Sequence, residues 1–136
     1  MRYALIFAGQ GSQSVGMGRE FYENFACARE LLESASDRLK IDFKNLLFTQ
    51  NEELAISEFT QPAIILNSLM SYEALAQRLS IEPKFSLGHS LGEFGALAAS
   101  KAFSFLDTIK LVNLRGKFMQ EACEGKDAGM MVVLGL

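Results

Sequence analysis

The chain of 136 residues holds one histidine, two cysteines, two prolines and no tryptophan, and its few cysteines, scattered basic charge and short apolar runs each close off a class of protein. Cys27 and Cys123 lie far apart in segments of helical pattern. They offer neither metal-ligand spacing nor a disulfide framework, so both are expected as core thiols and no metal is expected. Lysine and arginine form no cluster and the net charge is -3, which denies nucleic acid the basic stripe it needs. No apolar run approaches a membrane span. The opening "MRYALIFAGQGS" is too brief for a signal-peptide core, so the expectation is a cytoplasmic chain with neither nucleic-acid nor membrane partners. What is present is ordinary: 49% hydrophobic and 21% charged residues, the composition of one globular domain with a sizeable core.

Strand-like and helix-like stretches alternate. "YALIF", residues 3–7, is a short apolar run stopped by a Gly/Ser loop and reads as a buried parallel strand. "GQGSQSVGMG" is then a turn. Phe21, Phe25, Ala28, Leu32, Ala35 and Leu39 recur at steps of three and four and predict one amphipathic helix. A second helix is expected over 60–79, with Thr60 as N-cap, Pro62 in the first turn and Ile65, Leu69, Tyr72, Ala76 and Leu79 on its apolar face. After Pro83, "KFSLG" supplies a second strand that feeds a turn at Ser90 and an Ala-rich helix from about 91 to 100. "SFLD", Ser104 to Asp107, has the capping-box form and opens a helix to about Cys123, with "EGKDAG" as its exit loop. The chain ends on the apolar "GMMVVLGL". An apolar strand with nothing after it is an unusual end for a domain, so the chain is expected to be cut short. The alternation favours an α/β fold with a parallel sheet flanked by helices.

The glycine-rich loop fits neither nucleotide fingerprint. Gly9 and Gly11 supply two glycines of G-x-G-x-x-G, but Ser14 stands in place of the third. Gly11 to Gly16 matches the Walker spacing, yet Met17 and Gly18 replace the phosphate-binding lysine and the Ser/Thr. Taken alone, the loop reads as an ordinary βα turn whose backbone can approach a ligand closely.

Gly88-His89-Ser90-Leu91-Gly92 is a G-x-S-x-G pentapeptide. With glycine near 7% of residues and serine similar, chance produces it about 4% of the time in a chain this long. A strand before it, a helix after it and small residues around it are what a nucleophile elbow requires. That geometry lifts Ser90 Oγ to the head of a helix, where free N–H groups favour an oxyanion. His89 is the wrong base, because adjacent residues on an extended segment point to opposite sides. It reads instead as a residue that supports the elbow. A Ser-His mechanism then needs a histidine the chain does not contain.

"FAGQGSQSVGMGREFY", "TQPAIILNSL", "GHSLGEFGALAASKAFSFLDTIKLV" and "LRGKFMQEA", in this order, resemble the malonyl-CoA:acyl carrier protein transacylase family. The motifs span nearly the whole chain but only the first part of the family's length. The resemblance implies an incomplete α/β-hydrolase-like large subdomain, with residues 1–124 as its amino-terminal part. Residues 125–136 would be the first strand of a truncated ferredoxin-like small subdomain, and the family's catalytic histidine would lie in the absent portion.

By the same resemblance Ser90 matches the nucleophile that forms an acyl-serine intermediate. The backbone N–H groups of Gln10 and Leu91 match the oxyanion hole, with Gly9, Gly11, Gly88, Gly92 and His89 around them. Arg115 matches the arginine that holds the free malonyl carboxylate, which a planar guanidinium can grip bidentately. From the residues alone, Arg115 is more simply a solvated helix charge. Ala8 departs from the family, which commonly has proline before "GQGSQ"; its absence loosens the loop without removing a donor. The implied reaction is ping-pong transfer of malonyl from coenzyme A to the phosphopantetheine thiol of acyl carrier protein, in fatty acid biosynthesis. No cofactor is needed, since the coenzyme A thioester is a substrate. The implied partners are malonyl-CoA, acyl carrier protein, and either the remainder of the parent chain or a second copy meeting exposed faces.

Two other readings stay open. A serine esterase would share the elbow but need no carboxylate-binding arginine. A non-catalytic binding fragment would keep the fold while lacking the base.

Overall fold

A computed structural model of the chain describes residues 3–80, 82–127, 131, 133 and 135. The elements run β1 (Tyr3–Phe7), α1 (Arg19–Asn24), α2 (Ala26–Leu39), α3 (Phe43–Phe48), a 3-10 turn (Glu53–Ala55), α4 (Ser57–Ala76), β2 (Pro83–Gly88), α5 (Gly92–Ala99) and α6 (Phe105–Cys123). The two strands pair in parallel, with Ala4 opposite Phe85, Ile6 opposite Leu87 and Phe7 opposite Gly88. The expected α/β arrangement of a parallel sheet with helices is thus present, with two strands among the described residues. The strand expected over 129–136 lies for the most part outside the described residues.

The core is mainly helical. Leu32, Phe43, Leu46, Leu47, Ile65, Leu69, Met70, Ile109 and Val112 form one buried cluster, with α4 at its centre and α2, α3 and α6 around it. From Thr60 to Leu66 every residue of α4 is buried. A helix apolar on all sides is one enclosed on all sides, so the single apolar face expected for this segment is corrected to a central helix. A smaller cluster of Phe7, Ala96 and Ala99, with Leu5 and Tyr72 packed against it, joins α5 and α4 to one face of the sheet.

Three further expectations are corrected. The helix over 21–39 is two helices, because Phe25 adopts an extended conformation between them. The break follows Asn24, whose side-chain amide donates to the Glu20 carbonyl at 2.9 Å, a local bond that competes with helix continuation. The apolar period survives the break: Ala28, Leu32 and Ala35 are buried, and Phe21, Phe25 and Leu39 pack against them.

Helix α4 starts at Ser57, so Thr60 lies inside it and is no N-cap. Its hydroxyl donates to the Ile56 carbonyl at 2.9 Å and the Leu54 carbonyl at 2.6 Å. The earlier start carries Pro62 past the first turn, where its missing N–H leaves the Glu58 carbonyl without its helical donor. Asn113 of α6 fills the gap, donating from Nδ2 to Glu58 O at 2.9 Å. Nearby, a Cβ on Gly116 would run into the Ser57 carbonyl, so only glycine lets α6 lie this close to the start of α4.

The cysteines are the third correction. Cys27 is half-buried and Cys123 exposed, since the buried stretch of α6 ends at Gly116, well before Cys123. Ser104 is the expected N-cap, its hydroxyl accepting from Asp107 N at 3.1 Å, but the return bond of a capping box is replaced by the same hydroxyl donating to Asp107 Oδ2 at 2.7 Å.

Candidate active site

Ser90 stands between β2 and α5 with φ at 50°, a left-handed conformation that costs a non-glycine residue about 1–2 kcal/mol. The flanking glycines make this elbow possible. A Cβ on Gly88 would run into the backbone of Gly92, and one on Gly92 would run into the Phe7 carbonyl. The strand, the turn and the start of α5 therefore interlock through bare backbone, and the exposed Ser90 side chain is held where the chain reverses. The buried Leu91 fixes the underside.

The glycine-rich loop leaves β1 beside this elbow. A Cβ on Gly9 would sit 2.8 Å from the His89 carbonyl oxygen and 3.1 Å from His89 Nδ1, so the two turns are in backbone contact. Gly11, with φ at 106°, faces open space. Among the described residues, neither the Gln10 nor the Leu91 backbone N–H donates a hydrogen bond. His89 joins the elbow to β1 through its main chain, its N–H donating to the Phe7 carbonyl at 3.4 Å. Ser90 Oγ receives its hydrogen bond from another residue.

That donor is Arg115, on α6. Its Nη2 donates to Ser90 Oγ at 3.0 Å and its Nη1 to Gln61 Oε1 at 2.7 Å. Its guanidinium carbon lies 5.6 Å from the Phe94 ring centre, within range of a cation–π attraction. The only ion pair among the described residues joins Arg38 to Asp107. The half-buried Arg115 thus presents a positive charge beside the serine with no carboxylate to balance it. Gly116, the next residue, is the point where α6 touches α4, and this contact brings Arg115 over Gln61.

Sequence reasoning placed Ser90, Gln10, Leu91 and Arg115 in one site, and the geometry brings Ser90 and Arg115 into direct contact. It gave no role to Gln61, which is completely buried. The Gln61 Nε2 lies 3.3 Å from Gln10 Oε1, and Gln10 Nε2 donates to Ser57 Oγ at 3.0 Å. A hydrogen-bonded chain therefore runs from Ser57 through Gln10, Gln61 and Arg115 to Ser90. The signal is an amide set directly before the apolar run "PAIIL", since a polar side chain buried there needs partners. Among the described residues no group of histidine, cysteine, aspartate or glutamate could hold a metal.

The serine of a strand–turn–helix junction thus has a guanidinium at its hydroxyl that no described carboxylate neutralises. The chain belongs to the acyl transferase domain family, whose model matches residues 4–134. It is 39% identical to a malonyl CoA-acyl carrier protein transacylase of Bacillus subtilis, over 99% of this chain and 43% of that protein. Among solved structures, it is similar to the malonyl-CoA:acyl carrier protein transacylase of Helicobacter pylori, with a TM-score of 0.90 and 51% identity over 93% of this chain and 42% of that one. It is also similar to a malonyl-transacylase in complex with its type II PKS acyl-carrier protein, at a TM-score of 0.84 and 36% identity, covering 90% of this chain and 40% of that one. The chain thus spans about two-fifths of the length of these relatives.

Proposed function

We propose that this chain carries the nucleophile half of a malonyl-CoA:acyl carrier protein transacylase. The observation that carries the reading is the 3.0 Å contact between Arg115 Nη2 and Ser90 Oγ, which sets a cation at the spot a short dicarboxylic acyl group would reach. Ser90 Oγ attacks the thioester carbonyl and a tetrahedral intermediate forms. Its oxyanion is met by the backbone N–H groups of Gln10 and Leu91, donors that need no reorganisation as charge develops. Collapse expels the coenzyme A thiolate and leaves an acyl-serine ester. The phosphopantetheine thiol of an acyl carrier protein then takes the acyl group in the second half of a ping-pong cycle.

Arg115 supplies selectivity. During acylation its Nη2 exchanges the bond to Ser90 Oγ for one to the malonyl carboxylate, a charge-assisted bond that an acetyl group cannot make. The base that takes the Ser90 proton comes from outside this chain on this reading, since His89 is the only histidine and makes no bond to Ser90. Residues 125–136 would open a second, smaller subdomain, and the site requires neither metal nor cofactor. Names of relatives that act with acyl carrier protein support the partner.

Intact mass after incubation with malonyl-CoA tests the reading. A one-malonyl adduct on the wild type and none on Ser90→Ala is the expected result. An equal adduct on Ser90→Ala would remove the reading, whereas no adduct on the wild type would show that acylation waits on the base this chain does not carry.

A further inference from the structure

We infer that Gln61 is the positioning residue that holds Arg115 across Ser90, and that its neutrality keeps the guanidinium charge available for a substrate carboxylate. The second half rests on the acyl-transfer reading above.

Gln61 is fully buried on α4, and both ends of its amide are engaged. Its Oε1 accepts from Arg115 Nη1 at 2.7 Å, while its Nε2 lies 3.3 Å from Gln10 Oε1 and 3.2 Å from Met119 Sδ. A long arginine without an anchor spreads over many rotamers. Fixing one Nη fixes the plane of the whole fork, because the guanidinium is rigid. With Nη1 taken by Gln61, Nη2 is aimed at Ser90 Oγ, and the Phe94 ring flanks the guanidinium. The same amide reaches Gln10, so the loop offering the oxyanion N–H and the arginine reading the carboxylate are tied to one buried side chain.

Charge explains why an amide serves here. A carboxylate at position 61 would orient Arg115 equally well, but it would neutralise the guanidinium before substrate arrived. A malonyl carboxylate would then meet an already paired cation and gain little. An amide oxygen accepts the hydrogen bond without cancelling the charge. No described acidic residue lies within ion-pair distance of Arg115, which agrees with a site that keeps this cation free.

Two substitutions separate orientation from charge: Gln61→Met retains length and removes the acceptor, whereas Gln61→Glu retains the acceptor and adds a charge. The first readout is the nitrogen-resolved NMR signal of the Arg115 Nη groups in the unliganded chain. Restricted rotation is expected in the wild type and in Gln61→Glu, and averaged signals in Gln61→Met. The second is the ratio of malonyl-CoA to acetyl-CoA affinity by titration. It should fall several-fold in Gln61→Met and about tenfold or more in Gln61→Glu, the loss of one charge-assisted contact. Should Gln61→Met fail to fold, Gln61→Asn, whose amide falls short of Arg115, takes its place with the same averaged signal expected. Unchanged Arg115 signals in the apolar or shortened variant overturn the positioning role. A Gln61→Glu chain that keeps the wild-type preference overturns the charge argument. If the wild type shows no malonyl preference while the Arg115 signals respond as expected, the acyl-transfer reading fails and the positioning role stands.

Discussion

The helical part of the molecule and its sheet are finished to different degrees. In the helical part Leu47, Ile65, Leu66, Leu69, Met70 and Ile109 are all inaccessible to solvent, and each element has a neighbour to cover it. The sheet is covered on one face by α5 and α4. Its other face carries Ala4, Ile6, Phe85 and Leu87, aligned by the strand register, with Ile6 76% and Phe85 71% exposed. Parallel sheets are ordinarily covered on both faces. The candidate site straddles the junction of these two regions: Ser90 and Gln10 belong to turns at the strand ends, while Gln61, Ser57 and Arg115 belong to the helical part. A stable helical frame thus presents the arginine to a serine held by a sheet that buries only half its surface.

Substitutions can break or sharpen that contrast. The largest effect is expected at Leu69→Ala, which opens a cavity in the helical core and should lower stability by about 3 kcal/mol in a denaturant titration. Asn113→Ala should cost about 1–2 kcal/mol by the same measurement, because it leaves the Glu58 carbonyl facing Pro62 with no donor. Ser90→Gly relieves the left-handed backbone and should raise stability by about 1 kcal/mol while abolishing any acyl adduct. A gain in stability with loss of chemistry marks strain retained for function. Phe85→Ser, on the bare sheet face, should change stability by no more than about 0.5 kcal/mol. A cost at Phe85 equal to that at Leu69 would show that the sheet face is covered in solution and would erase the contrast.

The elements that could be read from the sequence are those specified by short-range chemistry. Ser104 and Asp107 form their cap within four residues, and Gly88, Ser90 and Gly92 define the elbow through their own backbone contacts. Features set by tertiary packing were not legible in the same way. The true start of α4 depends on Asn113 replacing the donor that Pro62 lacks, a partner 55 positions from Glu58. The break at Phe25 is invisible to a periodicity that continues across it. Helix α3 is too short to show an apolar period, and its one local signal is Asp42, whose Oδ1 accepts from Asn45 N at 2.9 Å. At the site, Ser90 announces itself by its glycines, whereas Arg115 has only the pattern of a solvated helix charge and is singled out by the family resemblance; α6 brings it to Ser90. Gln61 carries no role in its local pattern, because its partners come from α6 and the first loop.

The central claim is that Arg115 reads an acyl carboxylate delivered to Ser90. It is tested most directly by offering equimolar malonyl-CoA and acetyl-CoA to the wild type and to Arg115→Ala, and weighing the Ser90 adducts by intact mass. The malonyl adduct should dominate on the wild type and lose that dominance in Arg115→Ala. A malonyl-to-acetyl ratio that is the same in both proteins would contradict the claim.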